Sequence, residues 1–144
     1  MLENNDIDVL NTIYKNSRMA YDSTSQVIKR CKDIDLFQYL RRQQAHYAKN
    51  CMEVRNTLGE EGLCPHKVPT VPSVMAGIGI AVKTMRDRSK GNIAELMYTG
   101  TNMGIVDIAR CVNRSHNASD KTVQMAETLL GEEEKFADGL RKFL

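Results

Sequence analysis

The chain has 144 residues, and its 20 lysines and arginines nearly cancel its 18 aspartates and glutamates. That length suits one domain with a real core, and so balanced a charge argues against nucleic acid or an acidic membrane surface as a partner. The longest apolar run, Val74 to Val82, is far short of the roughly 20 residues that span a bilayer.

The opening "MLENNDIDVL" is polar and acidic, unlike a signal peptide, so the expected compartment is the cytoplasm. The first helix is expected from Asp6 to Cys31. Leu10, Tyr14, Ser17, Tyr21, Thr24, Ile28 and Cys31 lie on one stripe at three- and four-residue steps. A second helix is expected from an Asp33 cap to Leu58, with Gly59 supplying the left-handed stop. Its inward stripe reads Leu36, Leu40, Gln44, Tyr47, Cys51, Val54 and Leu58. The short connection predicts that the two helices pack antiparallel.

Residues 60–72, "EEGLCPHKVPTVP", carry all three prolines and form the linker. Pro72-Ser73 then opens a short helix, "SVMAGIGIAVKTMRDR". Its nearly continuous apolar surface needs covering on more sides than one bundle provides, which points to a second copy of the chain and a homodimer. Gly77-x-Gly79 has neither a preceding strand nor a third glycine, so a nucleotide-phosphate loop is not expected. The next long helix is expected from Asn92 to Val112, and the last from Ser119 to the C-terminus. Gly100 and Gly104 share a face that admits close packing of the crossover helix, a dimer contact or a ligand cleft. The expected fold is therefore all-α: one domain, 1–144, of four long helices with an extra short helix between the second and third.

Four-helix bundles build metal sites from inward carboxylates and histidines near mid-helix, and two ions need about four carboxylates. The inward positions are poor in both. Glu133 lies mid-stripe on the last helix, with Phe136 three residues on. Gln44 and Tyr47 stand mid-stripe on the second helix, while Gln43-x-x-His46 has ligand spacing but points to the flank. The third long helix offers Thr101 and, at its edge, Asp107. No dinuclear site is expected. The weak candidates are Glu133, Asp107 and His46. A buried Glu133 would take hydrogen bonds from Tyr14, Tyr21 or Tyr47.

Cys31, Cys51, Cys64 and Cys111 form no C-x-x-C pair and read as small apolar side chains. Met19, Met52, Met97, Met103 and Met125 read as adaptable core filler. Cys64 and His66 are two ligands on a loop, and His116 sits in a solvated turn.

"LNTIYKNSRMAYDS", the crossover helix, "ELMYTGTNMGIVDIARCVN" and "LLGEEEKFADGLRKFL" together resemble the ferritin-like superfamily, specifically an uncharacterised bacterial branch. The resemblance implies the same bundle fold. It also implies glutamates near Ser17 to Tyr21 and near Thr101, with Glu-x-x-His at Gln44/Tyr47 and at Glu133/Phe136. Only Glu133 is present, so the di-iron centre is expected to be lost. Three functions follow: a non-catalytic, self-associating bundle without cofactor; a metal-binding or redox protein holding iron or manganese in a reduced site around Glu133; and a binder of a small molecule in the core. The polar cluster Tyr21, Gln44, Tyr47, Thr101 and Glu133 is the candidate site, with Gly77, Gly79, Gly100 and Gly104 as packing or interface positions.

Overall fold

The computed structural model describes residues 1–67 and 74–144, without the side chains of 74–76. Its helices are α1 (Asn4–Ile28), α2 (Ile34–Gly59), α3 (Val74–Lys83), α4 (Lys90–Arg114) and α5 (Asp120–Leu140), followed by a 3-10 turn at Arg141–Phe143. The expected start of the short helix at Pro72-Ser73 lies outside the described residues. Among those described there is no strand, and no helix is long and apolar enough to cross a membrane.

Local chemistry explains most helix ends. Asp33 accepts from the Leu36 amide at 2.9 Å, and Ser89 and Ser119 cap α4 and α5 through the amides of Asn92 and Thr122. Two ends depart from expectation. Gly59 is still helical, and the left-handed residue is Gly62, at φ 71°. The first helix stops at Ile28, before Cys31. The buried Asp6 carboxylate accepts from the amides of Glu3 at 3.0 Å and Ser119 at 2.7 Å, so it ties the start of α1 to the start of α5.

Two apolar clusters fill the bundle. One joins Leu10, Ile13 and Tyr14 of α1 to Val54 and Leu58 of α2, Ile108 of α4 and Leu129 of α5. The other joins Val27, Leu36, Leu40, Ile93, Phe136 and Leu140. The ends that share each cluster show that α1 runs with α5, opposite to α2 and α4. The long crossover permits that parallel pairing, and α3 within it packs on α1 and α4. Of the methionines read as core filler, Met97 is buried but Met52 is 60% exposed.

Candidate functional site

Between the two apolar clusters lies one polar layer, to which each long helix contributes a buried residue: Ser17, Tyr47, Thr101 and Glu133. Each interrupts an apolar stripe at mid-helix, so helix packing stacks all four at one level. Other buried polar side chains, Asp6, Thr24, Ser115 and Thr122, lie nearer the helix ends.

Glu133 is 5% exposed. Its Oε2 accepts from the Tyr47 hydroxyl and its Oε1 from the Gln43 side-chain amide, each at 3.1 Å. Burial pushes the carboxyl up to about 7; the Tyr47 and Gln43 donors pull against that shift, and neighbouring Glu132 adds to it. Burial, and then the charge of Glu133, raise the Tyr47 phenol well above its ordinary range, so it remains a neutral donor. The Thr101 hydroxyl donates to the Met97 carbonyl at 2.7 Å.

A cavity of about 30 Å³ opens onto this layer. Asn16, Ser17, Ser23, Tyr47, Thr101 and Glu133 form its polar wall, while Ala20, Ile78, Leu96, Met97, Ile108 and Leu129 form the apolar side. Ser17 Oγ and Asn16 Oδ1 are buried and have no hydrogen-bond partner among the described residues. Gly100 and Gly104 complete the wall. A Cβ on Gly100 would lie 3.3 Å from the Ile78 side chain, so α3 approaches closely here. A Cβ on Gly104 would instead meet Asn16 Oδ1, at 3.6 Å. A Cβ on Gly77 or Gly79 would meet nothing within 4 Å among the described residues.

Several expected site residues lie elsewhere. Gln44 donates to Ser25 Oγ at 2.7 Å, and Gln43 takes its place beside Glu133. Both glutamines flank the Tyr47 direction. At 100° per residue Gln43 is about 40° from Tyr47 around the axis on one side and Gln44 about 60° on the other. Tyr21 is half-buried beneath Arg18, and the Tyr14 hydroxyl accepts from Arg55 at 2.8 Å; neither serves Glu133. His46 pairs with Glu132 in an outer groove between α2 and α5. Asp107 pairs with Lys15 at 2.9 Å and accepts from Asn16 Nδ2 at 2.8 Å. Although burial raises the Asp107 carboxyl, those donors hold it below the usual range. The three weak metal candidates therefore have separate partners and form no common site.

Phe136, at the position where a metal-binding helix would carry histidine, is 3% exposed. Its ring stacks on Tyr39 at 5.1 Å and meets Tyr47 edge-on at 6.4 Å. The donor set does not fit a dinuclear metal centre, because the layer holds one carboxylate and no imidazole. Among the described residues no three histidine, cysteine or acidic side chains could share an ion. The segment 68–76 contains none of these residue types.

No family model and no curated protein matches the chain. Solved structures do match. A thioferritin, the bacterioferritin-related protein from Bacteroides fragilis, superposes with a TM-score of 0.74 at 13% identity, over 96% of this chain and 83% of its own. The F-to-E point mutant of Dps1 from Mycobacterium smegmatis gives 0.72 at 16% identity, over 99% and 98%. A conserved hypothetical protein from Mycobacterium tuberculosis gives 0.71 at 13% identity, over 99% of both chains. At such identities the likeness is one of fold, and that fold is ferritin-like.

Proposed function

We propose that this ferritin-fold bundle is a self-associating binding protein that holds a small ligand in its polar layer, and that it is not an iron oxidase. The observation carrying this reading is the condition of Glu133. Its two oxygens already accept from Tyr47 and Gln43, neighbouring Glu132 turns outward to His46, and among the described residues no three potential ligands could share an ion. One carboxylate cannot neutralise two divalent or trivalent ions in a dry interior. Ser17 Oγ and Asn16 Oδ1 favour a ligand instead, because buried polar atoms are ordinarily hydrogen-bonded and these two have no partner among the described residues.

Self-association is supported by apolar side chains left at the surface. Ile80 on α3 is 58% exposed, Val106 on α4 46% and Ile34 at the start of α2 70%. The Bacteroides fragilis protein of the same fold is dodecameric. A dimer is the simplest closed assembly of this chain.

Elemental analysis of protein purified from iron-supplemented cells tests the metal half of the reading. Iron and manganese are expected well below one ion per chain, and a stoichiometric amount of either would overturn it. Solution mass tests the other half: an assembly is expected, and a monomer at micromolar concentration would remove self-association.

A further inference from the structure

The free polar atoms on the cavity wall are mostly acceptors. Asn16 Oδ1 can only accept, and its own amide group is spent on the Thr12 carbonyl and Asp107. Glu133, when ionised, offers about four lone-pair sites, and two are used. Thr101 has spent its proton on Met97 and can still accept. Tyr47 and Thr101 have spent their protons on Glu133 and Met97, leaving the hydroxyls of Ser17 and Ser23 as the unassigned donors among the described residues of the wall. Among the described residues no lysine, arginine or histidine lines the cavity.

A ligand that completes this wall must therefore bring donors and a positive charge. The geometry points to a small primary ammonium ion, R–NH3⁺, as the occupant, with its N–H groups on Glu133, Asn16 Oδ1 and Ser17 Oγ and its carbon against Met97, Ile108 and Leu129. This identification rests on the ligand-binding reading above and gives it a chemical class. Three donors on one nitrogen match three separated acceptors. The charge pairs with a carboxylate whose isolation in the core is otherwise costly, which agrees with the elevated pKa of Glu133. Size agrees as well. A water needs roughly 10–15 Å³ of such space, so a cavity of about 30 Å³ takes about two heavy atoms, the count in methylammonium. The carbon of the ion replaces what would otherwise be a second polar group against an apolar wall.

The test is an NMR titration of the full chain with methylammonium chloride, with sodium chloride, potassium chloride and methanol as parallel titrants. Two heavy atoms cannot supply high affinity, so a dissociation constant on the order of 10 mM is expected. Saturable shifts should centre on the amides of Ser17, Thr101 and Gly104. Glu133→Gln should weaken binding tenfold or more, and Ser17→Ala, which leaves the carboxylate in place, about threefold. Potassium or methanol binding as tightly as methylammonium would overturn the ammonium assignment while leaving the cavity a ligand site. Shifts that never saturate with any titrant would overturn the assignment and the ligand-binding reading together. Methylammonium shifts that saturate equally in both variants would place the ion elsewhere and also overturn the assignment.

Discussion

The Tyr47 hydroxyl donates to Glu133 across the seam between α2 and α5, and this bond joins the two halves of the bundle at their most polar level. Tyr47→Phe deletes that donor without changing the ring. It leaves the carboxylate with the Gln43 bond alone. The variant should lose about 1–3 kcal/mol of stability at pH 8 and markedly less at pH 5, where Glu133 is protonated. Urea unfolding at the two pH values measures the difference.

The pH dependence has a definite sign. The Glu133 carboxyl titrates near 4.5 in a solvated chain and at about 7 in the bundle. Between those values the folded state binds more protons than the unfolded state, so stability falls as pH rises from 4.5 through 7 and levels off above. The contribution is at most about 3 kcal/mol. Glu133→Gln removes the ionisation, so its stability should equal the parent's within about 1 kcal/mol near pH 5 and exceed it at pH 8. Thermal unfolding of both proteins across this range isolates the group, and parallel profiles would show that Glu133 does not titrate as argued.

Two glycines should respond in opposite directions to alanine. At Gly104 the new methyl finds ordinary contact with Asn16, and the helix gains about 1 kcal/mol of propensity. Gly104→Ala should be more stable than the parent, yet it should lose cavity volume. At Gly139 the methyl would run into the Tyr39 hydroxyl. That hydroxyl is held by a 2.8 Å bond to the Phe136 carbonyl and its ring by stacking on Phe136, so it has little freedom to yield. Gly139→Ala should cost about 2 kcal/mol. Denaturant midpoints of the pair check both signs.

Phe136→His restores the Glu-x-x-His spacing on α5. It should not restore a metal centre, because one glutamate and one histidine still leave two ions without charge balance. The ring also loses apolar contact with Tyr39 and Tyr47, and a loss of roughly 3 kcal/mol is expected. Elemental analysis of the variant after iron loading decides the first point, and chemical denaturation the second.

The helices were legible because their signals are local. Caps such as Asp33 and Ser119 and apolar steps of three and four depend only on near neighbours in the chain. Poverty of ligands was legible for the same reason, since an inward position without a carboxylate or imidazole can be read one helix at a time.

Which side chains meet was another matter. Nothing in the order of residues says that Gln43 rather than Gln44 reaches Glu133, because the two differ by only about 20° in their distance from the Tyr47 direction, less than the freedom of a glutamine side chain. Nor does it say that Asn16 lies over Gly104, or that Asp107 belongs to Lys15 instead of Glu133. Those pairings depend on how far each helix is rotated about its axis, and that rotation is set by all the core contacts acting together. The sequence alone determined a helical bundle poor in metal ligands, with the Glu133 carboxylate on the inward stripe of its last helix. Only the tertiary structure decided that this carboxylate faces a small cavity with two partnerless oxygens on its wall, because a cavity is the space that four packed helices and a crossover segment leave unfilled.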